Sequence, residues 1–167
     1  MLEAIAFIVA LLTSSEDVER LRRTDPQDLT TESAREQIGA ARTAAFLTRT
    51  DPGMLLSIAW HESRYTLAAV TNEPGGKVSC GVMTPIPRYG HCPSRTLVES
   101  YIVGGRHVRT WIEAVGPRWA WIGYAGGYRL IKICKAGGAS RGCSIERVFR
   151  SRAERITGNH LQRAGDS

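Results

Sequence analysis

Apolar positions return at helical spacing over most of this chain. Leu2-Glu3-Ala4-Ile5-Ala6-Phe7-Ile8-Val9-Ala10-Leu11-Leu12 is apolar almost throughout and reads as a first helix, packed on the domain or on a partner. Ser14-Ser15-Glu16-Asp17 opens a second helix, acidic at its start and running toward Arg20, Arg22 and Arg23; Asp25-Pro26 breaks it. Thr30-Thr31-Glu32 opens a third, whose stripe of Ala34, Ile38, Ala41 and Ala45 suits close helix packing. Asp51 and Pro52 then supply an N-cap and a first helical residue for an amphipathic helix over 51–65. Its apolar face carries Leu55, Ile58 and Ala59, and one carboxylate, Glu62.

Between 65 and 97 the periodicity disappears. Pro74, Gly75, Gly76, Gly81, Pro85, Pro87, Gly90 and Pro93 interrupt regular structure, leaving room for a short β-hairpin. So long an irregular stretch inside a compact domain is usually functional. Helical spacing resumes at Leu97, Tyr101, Gly105, Val108, Ile112 and Val115, and Gly116-Pro117 ends the run. Ser144 begins a last helix, with Val148, Phe149 and Ile156 inward and Gly158 at its stop. The pattern predicts a mainly α fold with at most a small β-hairpin. Residues 1–50 read as a helical N-terminal extension on a domain spanning 51–167. Trp111, Trp119 and Trp121 read as core residues, with one of them a candidate for lining a groove.

Charge sharpens this division. The 167-residue chain carries a net +6, but residues 1–50 hold six Arg against eight Asp and Glu. Residues 51–167 hold sixteen Lys and Arg against eight Asp and Glu. A basic surface suits an anionic polymer, whether a bacterial cell wall or a nucleic acid. No zinc-finger spacing or aromatic RNA-binding motif accompanies it, so charge does not point to a specific nucleic-acid partner. The apolar start has no Lys or Arg, carries Glu3 and lacks a small-residue cleavage pattern, so it does not read as a signal peptide. It is also too short to form a transmembrane span.

Four cysteines, Cys80, Cys92, Cys134 and Cys143, allow three complete pairings. The simplest joins Cys80 to Cys92 and Cys134 to Cys143, each closing a short loop. Reduced thiols and a metal site are the alternatives. The metal reading is weakened because no Cys-x-x-Cys pair is present. His61-Glu62 invites comparison with the zinc motif His-Glu-x-x-His, but Tyr65 occupies the second ligand position. No metal or cofactor is expected.

Glu62 is the residue with chemistry to offer. A carboxylate on an apolar stripe loses hydration, which raises its pKa toward the range a general acid needs. A structural ion pair, with Arg64 close in sequence, is the competing reading. Downstream lie Gly81-Val82-Met83-Thr84 and Trp119-Ala120-Trp121-Ile122-Gly123-Tyr124-Ala125-Gly126-Gly127. In order and spacing these resemble the lytic transglycosylases related to goose-type lysozyme. In that family a Glu-Ser pair ends a helix, a Gly-Leu-Met-Gln turn follows, and Ala-Tyr-Asn-Ala-Gly closes the site. The likeness covers roughly 51–127.

The resemblance implies a lysozyme-like α+β domain that cleaves the MurNAc-β-1,4-GlcNAc bond of peptidoglycan and leaves a 1,6-anhydro product. Glu62 is implied as the single acid/base, with Ser63 orienting it and Tyr124 bringing a hydroxyl to it. Met83, Thr84 and Ala125 are implied to line the sugar groove. Thr84 stands in place of the family's Gln and Ala125 in place of its Asn, so two amide groups are lost. Two alternatives stay open. One is a muramidase using water and a second carboxylate, for which Glu73 and Glu99 are available by type. The other is a non-catalytic phage structural or wall-binding protein. The implied location is the periplasm or cell wall, reached through a phage particle, a phage lysis system or a secretion apparatus.

Overall fold

Side-chain caps fix where most of the helices begin. The computed structural model describes residues 1–25, 29–73, 75–84, 88–89, 92–93, 95–137 and 141–158. Pro26, Pro74, Pro85, Pro87, Gly90 and His91 fall outside them. Helices α1 (Leu2–Leu11) and α2 (Ser15–Thr24) come first, α2 capped by Ser14 accepting from the Asp17 amide. Thr30 and Ser33 form a reciprocal capping box that starts α3 (Thr31–Thr48). Asp51 accepts from the Met54 amide at 2.7 Å and Pro52 takes the first turn of α4 (Pro52–Ser63).

Strands β1 (Val70–Glu73), β2 (Lys77–Cys80) and β3 (Arg88–Tyr89) follow in the order β1-β2-β3, all antiparallel. The β1–β2 hairpin pairs Val70 with Cys80 and Glu73 with Lys77, and β3 adds two residues to its far edge. Helix α5 (Leu97–Val115) opens on a Thr96–Glu99 capping box. Gly116 then ends α5 and starts α6 (Pro117–Lys135), whose axis breaks at Gly126–Gly127. A 3-10 turn at Arg141–Ser144 leads into α7 (Ile145–Thr157), closed by Gly158. The fold is mainly α with a small hairpin, as the periodicity predicts.

Two elements differ from the sequence reading. Helix α4 is not amphipathic: Gly53 through Ala59 are all buried, because α3 packs on one side of it and α7 on the other. Exposure is confined to its ends: Pro52 is partly exposed, and Trp60 to Arg64 are partly or fully so. Val148, expected inward on α7, is 51% exposed, while Phe149 and Ile156 face the core. α7 is short and strongly two-faced, and one residue's rotation about its axis is enough to move a side chain out.

The core does not respect a boundary at residue 50. Val18, Leu21, Ile38 and Ala41 belong to the same buried cluster as Leu55, Ile58, Tyr101, Trp121 and Phe149. Helix α3 lies between α1, α4 and α5, and α2 packs on α7. A buried polar network binds these layers. Arg152 of α7 pairs with Asp25, whose other oxygen accepts from the Tyr65 hydroxyl at 2.8 Å. The Tyr65 carbonyl accepts from Gln37 at 3.2 Å, and Gln37 accepts from the Tyr101 hydroxyl at 2.7 Å. Removing one partner of such a buried ion pair commonly costs about 3–5 kcal/mol. Trp60 lies between two guanidinium groups, Arg64 at 3.4 Å and Arg152 at 3.6 Å from its ring centroid.

Both expected disulfides are formed. Cys80 joins Cys92 and Cys134 joins Cys143, with Cα separations of 5.7 Å and 5.3 Å. Among the described residues no helix is long and apolar enough to cross a membrane.

The α1–α3 contact depends on Gly39. A Cβ there would lie 2.7 Å from the Ala10 Cβ and 2.8 Å from the Ala6 carbonyl oxygen, so backbone would have to move. Gly39→Ala is expected to destabilise the protein by about 1–3 kcal/mol through overpacking, read as a lowered thermal melting point. An unchanged melt would mean that α1 does not pack as described.

Candidate active site

Helix α4 delivers Glu62 and Ser63 to its exposed end and then stops abruptly. Arg64 and Tyr65 take left-handed backbone conformations, φ 52° and 63°. Two consecutive bulky residues in that region are strained, and such strain persists only where surrounding contacts hold it. The Arg64 amide bonds back to Trp60, and Tyr65 is fixed at both its hydroxyl and its carbonyl by Asp25 and Gln37. The helix end is therefore set by interactions from α2, α3 and α7.

Opposite that end lies the turn 81–84, held by hydroxyl groups from three helices. Ser63 of α4 donates to the Val82 carbonyl at 2.7 Å, with the Ala59 carbonyl as an alternative acceptor at 3.0 Å. Ser100 of α5 accepts from the Val82 amide at 2.9 Å. Tyr124 of α6 donates to the Met83 carbonyl. The Gly81 amide bonds to Ala69, and Thr84 closes the turn onto Gly81 at 3.2 Å. The Cys80–Cys92 disulfide ties the start of this turn to the chain beyond the sheet.

Met83 is fully buried beneath the turn. It rests on Gly104 of α5, where a Cβ would approach the Met83 sulfur to 2.3 Å. The next residue, Thr84, donates its hydroxyl to Oε2 of Glu62 at 2.8 Å. Glu62 and Thr84 are both half-buried. The three segments picked out in the sequence thus converge: the helix end, the turn and the Tyr124 helix meet at one carboxylate.

The contacts refine the implied roles. Ser63 is adjacent to Glu62 in sequence but spends its hydroxyl on the turn. Tyr124 lies close enough to Glu62 for the carboxylate charge to act on it, while its hydroxyl goes to Met83. Burial first, and then the Glu62 charge, push the Tyr124 phenol well above its ordinary pKa, so it stays a donor at any physiological pH. Ala125 is exposed beside it and offers no polar side chain. The break at Gly126–Gly127 ends this stretch of α6 directly afterwards.

Sequence reasoning did not find Ser100 or His107. Ser100 is buried on the α5 face that meets the turn, and the adjacent Gly104-Gly105 pair was the available signal of close approach. His107 sits 5.2 Å from Tyr124, ring edge to face, and its Nε2 accepts from the Trp111 indole at 3.2 Å. Burial lowers its pKa, which favours a neutral ring with its proton on Nδ1. Of the three tryptophans, Trp121 is core against Phe149, and Trp119 lies under Arg118 and Lys135. Trp111 alone is joined to the Tyr124–His107 pair, with Tyr128 on its other side at 4.9 Å.

Tyr124→Phe keeps the ring and frees the Met83 carbonyl. It is expected to cost about 0.5–1.5 kcal/mol, measured by thermal or denaturant melts. No loss of stability would remove the hydroxyl from the turn. Cys80→Ser with Cys92→Ser should lower stability by roughly 2–3 kcal/mol, since a short loop is released in the unfolded chain. A wild-type melt unaffected by reductant under conditions that open the bond would contradict this.

No known family model, curated protein or solved structure matches the chain.

Proposed function

We propose that this chain is a peptidoglycan lytic transglycosylase with Glu62 as its single acid/base. The observation that carries the reading is the Thr84–Glu62 hydrogen bond. It joins two segments that the resemblance requires to meet, on a turn that the third segment holds through Tyr124.

In this reading glycan strands lie against the turn 81–84 and the exposed end of α4. The Glu62 carboxyl gives its proton to the oxygen linking N-acetylmuramic acid to N-acetylglucosamine, and the bond from that oxygen to C1 breaks. The muramyl 6-hydroxyl attacks C1, and its proton returns to Glu62. The substrate supplies the nucleophile, so one carboxylate is sufficient. Glu99, available as a second carboxylate, is instead occupied in capping α5 through the Thr96 amide at 2.9 Å. That counts against Glu99 as a muramidase's second carboxylate and leaves Glu73 as the other candidate by residue type.

The basic balance of 51–167 suits an anionic wall polymer, and two disulfides suit an oxidising compartment such as the periplasm or cell wall. Delivery by a phage particle or a secretion apparatus fits the same setting. A second reading, a wall-binding structural protein with a degenerate site, draws on Thr84 and Ala125, which replace two amide side chains of the family pattern.

Glu62→Gln is nearly isosteric and removes the transferable proton. The variant is expected to stay folded by circular dichroism and to lose at least about 100-fold in the rate of wall digestion. Mass spectra of wild-type products should contain 1,6-anhydro-muropeptides. Reducing-end products would assign the muramidase, absence of products the structural protein, and a fully active Glu62→Gln would exclude Glu62 chemistry altogether.

A further inference from the structure

We infer that the exposed face of α1 is an interface for a second copy of this chain, the two α1 helices packing antiparallel about a two-fold axis. The inference is independent of the chemistry assigned to Glu62.

Helix α1 is apolar at every position but Glu3. A helix that is apolar all round needs cover on every side. One side has it: Ala6 and Ala10 are buried, and Gly39 of α3 packs closely against both. On the opposite side Met1 and Leu12 are largely exposed, and Ile5 and Ile8 about half so. At helical spacing these four form one narrow stripe, and Glu3, the single charge of α1, falls away from it. Leu47 lines one groove with Leu2, so α3 carries the apolar surface past the first turn of α1, where Phe46 is 85% exposed. Together the six exposed side chains present on the order of 700 Å² of surface, above the roughly 300–600 Å² of the largest patch on a typical monomer. A standard interface takes about 800 Å² from each partner.

The stripe itself names the occupant. Its intervals of four, three and four residues are those of a coiled-coil seam. They also read the same in both directions. An antiparallel second helix therefore sets Met1 against Leu12 and Ile5 against Ile8, and each contact is made twice. That reciprocity is what a two-fold interface requires. Antiparallel packing also opposes the two helix dipoles, which a parallel pair would align. A lipid surface fits less well, because α1 carries no Lys or Arg to meet headgroups. The face contains none of the residues that build the candidate site, so substitutions there test association alone.

The test is sedimentation velocity on the full chain over a range of concentrations, where a species of twice the monomer mass is expected. Ile8→Glu should keep the circular-dichroism spectrum and raise the dissociation constant at least about 100-fold, because each copy then places a carboxylate in the seam. Leu12→Ser, a milder change at a largely exposed position, should raise it about 10-fold. In the double variant Ile5→Lys with Ile8→Glu, each lysine faces a glutamate of the second copy, and association should be tighter than in Ile8→Glu alone. A wild-type chain that stays monomeric into the millimolar range overturns the inference, as does a dimer indifferent to both Ile8→Glu and Leu12→Ser. A double variant no tighter than Ile8→Glu overturns the antiparallel two-fold register. A monomer that cosediments with phosphatidylglycerol vesicles, and ceases to in Ile8→Glu, assigns the face to lipid and overturns the second copy.

Discussion

The site depends on the fixing of two peptide groups. The Val82 and Met83 backbone, in a Gly-initiated turn outside regular structure, has no helix or sheet to satisfy it. Three hydroxyls, Ser63, Ser100 and Tyr124, take over that task from three different helices. Each bond contributes little alone, about 1 kcal/mol net, yet leaving a buried peptide group unpaired would cost more. Because the donors and acceptors come from α4, α5 and α6, the turn forms only when all three helices have docked. Tertiary packing and site geometry are in this respect a single event.

How much of this was legible in the sequence varies with the physics involved. Caps were readable because they are local: Asp51, Thr30 and Ser14 act on amides three residues away. Glu62 was readable because a carboxylate interrupts an apolar stripe. The continuous burial of α4 was not, since periodicity reports one face and α4 is enclosed by both α3 and α7. Helix α6 was likewise hidden, because Gly123, Gly126 and Gly127 weaken the helical signal around Tyr124, and its backbone does break at Gly126–Gly127. Ser100 could not be distinguished from any other polar residue on a helix until the turn it serves was placed against it.

The buried network around Asp25 has a comparable logic. Asp25, Tyr65, Gln37, Tyr101 and Arg152 come from across the whole described chain and are linked in the buried interior by three hydrogen bonds and one ion pair. A network of this kind is costly if any member is lost, and it therefore specifies one arrangement of the helices over near alternatives. It also explains why Tyr65 tolerates a left-handed backbone: both ends of the residue are anchored, so relaxing φ would break two buried hydrogen bonds.

That anchoring bears on what can be inherited or transplanted. The stretch resembling a known enzyme family runs over 51–127, yet the residue after its strained helix end is held by Asp25 and Gln37 on one side and, through Asp25, by Arg152 on the other. The motif-bearing stretch is therefore not a module. Cut out or grafted elsewhere, it would carry its carboxylate but lose the groups that aim it. Divergence in the flanking helices is constrained by the centre, and a lineage could reshape its surface freely only while keeping those three distant positions in step.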